Sequence, residues 1–129
     1  MPFSYSGQSG FMSASSSIFH IANTRDWLQA KQDGESYQCA SLESESFIHC
    51  CESQQLAGVV QRYYEGVDDL ILLMIDPDKL TATLIRENTV GGSELFPHVY
   101  GPLDLEAIIS AINFDIGSTE RIAIEDSSE

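Results

Sequence analysis

The chain contains only three histidines, and each lies in a short apolar stretch. His20 lies in IFHIA, His49 in FIHCC and His98 in FPHVYGP. Imidazole titrates near neutral pH, so it suits acid–base work, hydrogen bonding and metal ligation. If the three stretches are neighbouring strands, the three imidazoles meet in one cleft. A single histidine in such a place is more often a half-buried residue with satisfied hydrogen bonds, so the prediction depends on the pattern.

Carboxylates and one tyrosine extend this set. Glu87 and Glu94 flank the Gly-rich loop NTVGGSE, and either is a candidate base or ribose ligand, although most carboxylates in so acidic a chain are solvated. Tyr100 is either a packed aromatic or a stacking surface. Pro97 on one side of His98 and Gly101-Pro102 on the other stiffen the backbone, which suits a preorganised site and a rigid core turn equally well.

The cysteines and the spacing of the histidines bear on metal and thiol chemistry. There is no H-x-H, H-E-x-x-H or C-x-x-C spacing, so a three-histidine metal site is kept only as an alternative. An odd cysteine number predicts free thiols in a reducing cytosol. Cys50 points away from its neighbour His49 on a strand and suits the core, whereas Cys51 shares the face of His49 and is a weak nucleophile candidate.

Composition limits the partners. Twenty carboxylates face six Lys and Arg in 129 residues, for a net charge of -14. Such a field repels phosphate backbones and anionic membranes, so we expect neither general nucleic-acid binding nor membrane docking. A small-anion pocket stays open if Arg25, Arg62 and Arg86 converge. No apolar stretch reaches transmembrane length, and no targeting segment is evident, so we expect a cytoplasmic protein whose oligomeric state is undetermined.

Hydrophobic periodicity predicts one α+β domain over residues 18–125, between a flexible Ser/Gly-rich lead at 1–17 and an acidic tail at 126–129. Its sheet is mixed or mostly antiparallel. The predicted strands are 17–22, 45–51, 70–75, 81–87, 94–100 and 121–125, with 70–75 and 81–87 forming a hairpin around DPDK. The predicted helices are 24–32, 53–65 and, capped by Asp104, 105–112; residues 36–42 are predicted to be a loop or short strand.

Several motifs together resemble the uncharacterised bacterial family DUF952. They are IFHI, Trp27, Tyr37 before Ser41, FIHC, the glutamine Gln55, LILLMID and FPHVYGPL, and they extend from about Ile18 to Ala111. The glutathione S-transferase-like label sometimes attached to this family is not adopted, because no thioredoxin-type βαβ unit with a cis-proline signature is present. Where family members usually carry Gly-Phe-Ile-His and His-Cys-Ser, this chain has Ser46 and Cys51.

The resemblance implies an ADP-ribosyltransferase-like fold, in which a split, mostly antiparallel sheet cradles NAD. NAD or ADP-ribose is then the expected ligand, and ADP-ribosyl transfer or a phosphate-to-ADP-ribose exchange is the expected reaction. His20 would bind a ribose, and Ser41, Gln55 and Tyr100 would supply hydrogen bonds or stacking. The catalytic candidates are His49, His98 and Glu87. A non-catalytic module that binds a small ligand or a protein segment remains the alternative.

Overall fold

The computed structural model describes residues 17–114. Within this range the strands are β1 (Ile18–Asn23), β2 (Ser36–Tyr37), β3 (Ile48–His49), β4 (Leu70–Ile75), β5 (Thr83–Glu87), β6 (Phe96–Tyr100), β7 (Leu103–Asp104) and β8 (Ile108–Phe114). The helices are α1 (Thr24–Asp33), α2 (Ala40–Glu45) and α3 (Leu56–Val59). A 3₁₀ turn (Ser53–Gln55) precedes α3 and a π-helical turn (Val60–Tyr64) continues it. The predicted lead, acidic tail and strand at 121–125 lie outside the described residues, apart from residue 17.

Antiparallel pairing builds a split sheet. One part has the order β1-β4-β8 and the other the order β3-β6-β5, and β2 pairs with β7 beside them. The two larger parts meet where the backbones of Phe19 and Cys51 exchange hydrogen bonds of 2.8 Å. The predicted single α+β domain with a mostly antiparallel, split sheet is therefore confirmed.

Strands β1 and β4 are buried on both faces, because each face carries its own apolar cluster. On one face, Ile18 and Ala22 pack with Ile71 and Leu73, together with β2, β3 and β6 residues. On the other, Phe19 and Ile21 belong with Leu70 and Leu72 to a cluster that includes residues of the 56–64 helix. Since side chains alternate along a strand, His20 lies on the first face, and this placement decides what its ring contacts.

Local signals explain how α1 begins and ends. The side chain of Asn23 accepts a hydrogen bond from the Asp26 backbone N–H, which caps the first turn. Gly34 follows the last turn at φ 74°, a left-handed conformation that glycine adopts without strain. The predicted helix and both of its signals are confirmed.

Residues 105–112 are not a helix. A 3₁₀ turn, Leu105–Ala107, leads into β8, which pairs with β4 from Leu70↔Phe114 to Ile75↔Ile108. Ile108, Ile109 and Ile112 are β-branched and favour a strand. The pairing also satisfies backbone groups of β4 that the core would otherwise leave unpaired.

Three other expectations need correction. Strands β4 and β5 do not form a hairpin: β4 pairs with β1 and β8, and β5 pairs with β6. The helix predicted at 53–65 is present, but its α-helical hydrogen bonding is confined to Leu56–Val59. Residues 36–42 contain the short strand β2, as predicted, but also the start of α2, which was missed because ASLESE has no apolar stripe. No helix among the described residues is long and apolar enough to cross a membrane.

Candidate functional site

A cleft of about 440 Å³ opens between the two parts of the sheet and the 56–64 helix. Aromatic side chains form much of its wall: Phe19, Tyr63, Tyr64 and Phe96. Four polar side chains line it as well: Glu45, His49, Thr89 and His98. A mainly apolar cleft with a few convergent polar groups is typical of a small-molecule site. We call it the His49–His98 cleft.

His20 lies outside this cleft. Phe19 and Ile21, its neighbours on β1, line the cleft, so alternation turns His20 to the opposite face of the strand. Its Nδ1 donates to the carbonyl oxygen of His49 at 2.6 Å, and its Nε2 accepts from the hydroxyl of Tyr37 at 2.9 Å. The carbonyl can only accept, which fixes the proton on Nδ1. Both ring nitrogens are therefore already engaged.

Burial keeps His20 uncharged. The residue is only 6% exposed, and loss of water lowers its pKa to about 4, against the opposing effect of the hydrogen bond to His49. The ribose contact implied by the family resemblance would require breaking one of its two bonds. In the folded chain the His20 side chain, on β1, is hydrogen-bonded to Tyr37 on β2 and to His49 on β3.

His49 and His98 are brought together. They are directly opposite each other in the β3–β6 pairing, with ring centroids 5.2 Å apart and planes at 82°. His98 is almost fully buried, whereas the His49 side chain is 44% exposed and its Nε2 lies 3.2 Å from Glu45 Oε1. The cleft thus has one sheltered imidazole and one at its mouth.

A carboxylate orients the sheltered imidazole. Glu87 Oε2 accepts a hydrogen bond from His98 Nδ1 at 2.9 Å and another from the Tyr100 hydroxyl. The bonds from Tyr100 and His98 lower the pKa of Glu87, so it stays ionised and can only accept. The hydrogen bond between Tyr100 and Glu87 raises the pKa of the Tyr100 hydroxyl. In neutral His98 the proton is therefore on Nδ1, and no described residue hydrogen-bonds to Nε2.

Neither Glu87 nor Tyr100 lines the cleft, so both act on it through His98. Glu94, the other carboxylate beside the Gly-rich loop, accepts from the side chain of Gln55 at 3.1 Å. The structure therefore separates the two candidates: Glu87 is coupled to a cleft histidine and Glu94 to a helix terminus.

Phe47 is one of the residues of the site region that the sequence did not reveal, together with cleft-wall residues such as Glu45 and Phe96. The Phe47 ring stacks on His98, with centroids 4.1 Å apart and planes at 16°, and also contacts His49 and Tyr100. An aromatic residue beside a strand histidine predicts only core packing. The strand pairing that places Phe47 over β6 is not visible in the spacing.

Ser41 and Gln55 bond to the protein's own backbone. The Ser41 hydroxyl donates to the carbonyl of Phe47 at 2.9 Å. Gln55 accepts from the Glu52 backbone N–H and donates to the carbonyl of Leu95 at 2.8 Å. Neither side chain lines the cleft, and the binding roles implied for them by the resemblance remain predictions.

Thiol and metal chemistry have little support. Burial raises the pKa of Cys51 to about 12 and that of Cys50 well above its ordinary value, so both thiols stay protonated and neither is an activated nucleophile. Among residues 17–114, no group of three His, Cys, Asp or Glu side chains is arranged to hold a metal ion. The alternative three-histidine metal site is not formed, since His20 lies on the other face of β1.

Known proteins give the chain relatives but no activity. Residues 21–111 match the sequence model of a family described as "Protein of unknown function (DUF952)". The crystal structure of protein CC0527 from Caulobacter crescentus is similar at 27% identity and a TM-score of 0.69, over 78% of this chain and 87% of that one. Its solution NMR structure matches at 27% identity and a TM-score of 0.67, over 78% and 86%. None of the curated proteins matches the chain.

Proposed function

The chain belongs to the DUF952 family of proteins of unknown function, and we propose that its His49–His98 cleft binds a small molecule with a flat ring and a hydroxyl group. The single observation that carries this proposal is that Nε2 of the buried His98, which lines an aromatic cleft, has no hydrogen-bond partner among residues 17–114. An unpaired acceptor in such a place costs stability unless a ligand or water satisfies it.

The Glu87–His98 pair gives that nitrogen acid–base capacity. Glu87 holds the Nδ1 proton in place, so the lone pair of Nε2 can accept a proton from a ligand hydroxyl. The carboxylate then stabilises the imidazolium that forms, and the proton returns from Nε2 to the oxygen that gave it. His98 is thus the proposed catalytic residue, Glu87 and Tyr100 position it, and His49 contacts the ligand at the mouth.

NAD or ADP-ribose is the ligand class that we propose from the resemblance to the ADP-ribosyltransferase-like fold. The split antiparallel sheet supports it, and a ribose would supply the hydroxyl. The cleft volume lies in the range of roughly 300–1,000 Å³ found for small-molecule sites. Because no Lys or Arg of the described part of the chain lines the cleft, we place the ring and its ribose inside and the diphosphate in solvent.

The test is calorimetric titration of the full-length chain with NAD, ADP-ribose and nicotinamide riboside. We expect at least one to bind, and His98→Gln to weaken it about tenfold, since a hydrogen bond to a buried partner is lost. Val90→Ala, at the cleft wall, should also weaken binding, whereas the control Ile109→Ala, an exposed apolar change on β8, should not. Absence of binding by all three compounds, or binding that His98→Gln leaves intact, would refute the proposal.

Turnover is tested separately by nicotinamide release from NAD. A chain that binds NAD without releasing nicotinamide under any condition fits the alternative of a non-catalytic binding module.

A further inference from the structure

We infer that the His49–His98 cleft selects a flat, positively charged ring, and that Glu45 determines this selectivity. The inference rests on the proposed function in one respect, namely that the cleft holds a small ligand. It adds the charge of the ligand, which neither the family nor its solved relatives indicate.

The first support is the charge of the cleft wall. Glu45, from the last turn of α2, is the one carboxylate among the lining residues, and no Lys or Arg is among them. Among residues 17–114, Arg86 pairs with Glu52 at 2.8 Å, and neither Arg25 nor Arg62 lines the cleft, although Arg62 lies 6.0 Å from the ring centroid of Tyr63 in the cleft wall. In a chain with a net charge of -14, an anionic ring would meet repulsion, and no Lys or Arg among the described residues lines the cleft to offset it.

The second support is the aromatic content of the wall. Phe19, Phe96 and two tyrosines surround the space, and the face of an aromatic ring attracts a cation through its quadrupole. A flat cation gains this attraction in addition to the area it buries, whereas a neutral ring of the same shape gains only the area.

The third support is the state of Glu45 itself. One of its oxygens lies 3.2 Å from His49 Nε2, and the other has no hydrogen-bond partner among the described residues. The side chain is 48% exposed, so it is close enough to the mouth to meet an entering ligand. A carboxylate oxygen that is already fixed on one side by His49 is well placed to receive a positive ring.

The test uses three probes with the same ring: 1-methylnicotinamide, which is a cation, nicotinamide, which is neutral, and nicotinate, which is an anion. Each is titrated into the full-length chain near neutral pH and followed by NMR shifts of the cleft residues. We expect the cation to bind about fivefold more tightly than the neutral ring, as one exposed ion pair with Glu45 allows, and the anion to bind most weakly.

Glu45→Gln should lower the affinity for 1-methylnicotinamide more than the affinity for nicotinamide, so that most of the preference for the cation is lost. Glu43→Gln, on the same helix but outside the cleft, is the matched control and should retain the preference. Equal affinity for the cation and the neutral ring, or a preference that survives Glu45→Gln, would overturn the inference. If none of the three probes binds while a larger ligand tested above does, the inference is overturned and the proposed function stands; if the larger ligands also fail, the proposed function itself fails.

Discussion

Phe47 lies flat against His98, with ring centroids 4.1 Å apart and planes inclined by 16°. The same ring contacts His49 edge-on at 4.8 Å and Tyr100 at 5.2 Å. One buried side chain therefore contacts three aromatic rings of β3 and β6, those of His49, His98 and Tyr100. It holds the His98 ring in plane from one side, while Glu87 fixes the position of Nδ1.

Phe47→Leu should loosen His98 without removing any polar group. The free energy of unfolding should fall by about 1–3 kcal/mol, since a buried aromatic pair and part of a ring's volume are lost. We expect ligand affinity to fall as well, because the Nε2 direction is no longer fixed. Chemical denaturation measures the change in the free energy of unfolding. Ligand titration followed by NMR of the His98 imidazole measures the change in affinity.

Phe96→Leu is the control for this change, since Phe96 lines the same cleft but has no ring contact with His98 among the described residues. If Phe47→Leu and Phe96→Leu broaden the His98 ring signals equally, the stacking has no special positioning role.

Glu87→Gln should change which nitrogen of His98 carries the proton. A carboxylate only accepts, whereas an amide both donates and accepts, so the variant allows both neutral tautomers. NMR of the imidazole nitrogens should show Nδ1 protonation in the natural chain and a mixture in the variant. Binding of a hydroxyl-bearing ligand should weaken about tenfold.

Glu94→Gln is the matched control, because Glu94 flanks the other end of the same loop and bonds to Gln55 rather than to a histidine. An unchanged His98 tautomer in Glu87→Gln would show that the carboxylate does not set it.

Alternation along strands explains how far the sequence predicted this site. The short apolar contexts correctly place all three histidines on strands, and the pairing of His49 with His98 gives two of them one cleft. What the pattern could not reveal is which face of β1 borders that cleft. Both faces of β1 are buried, so IFHIA has no polar side to indicate that His20 points away.

Pairing partners were the least predictable part of the fold. LILLMI is recognisable as a buried strand, but its neighbours come from residues 18–23 and 108–114 rather than from the strand that follows it. An apolar run such as LEAIISAI fits a helix or a strand by composition, and only the need of β4 for a second partner decides between them.

His20 makes stability depend on pH. Its folded pKa is about 4 and the unfolded value about 6.5, so the unfolded chain takes up the proton first. The contribution of neutral His20 to the free energy of unfolding is fully present above the unfolded pKa. As the pH falls from about 6.5 to about 4, that free energy decreases by about 3 kcal/mol in total. Denaturant unfolding across this range measures it.

His20→Gln should be less stable than the natural chain near neutral pH, and its stability should fall less steeply over that range. Comparing the two curves removes the common contribution of the many carboxylates. If the free energies of unfolding of the natural chain and of His20→Gln fell equally with pH, His20 would not be a neutral, buried residue.

Gln55→Ala should release the Gly-rich loop from the helix. The side chain of Gln55 closes the first turn through Glu52 and also bonds to Leu95 and Glu94. We expect about 1–2 kcal/mol of destabilisation and faster amide hydrogen exchange between residues 88 and 95. Gln54→Ala, at the exposed neighbour, should change neither quantity, and equal effects of both would contradict this role.

Ser46 occupies a backbone position that suits glycine. It follows α2 at φ 75°, and its N–H bonds to the carbonyl of Leu42. A side chain in this left-handed region costs energy that glycine avoids. Ser46→Gly should therefore raise the free energy of unfolding by about 0.5–1 kcal/mol. Ser44→Gly, inside α2, should lower it by a similar amount, and destabilisation by both changes would show that the turn is not strained.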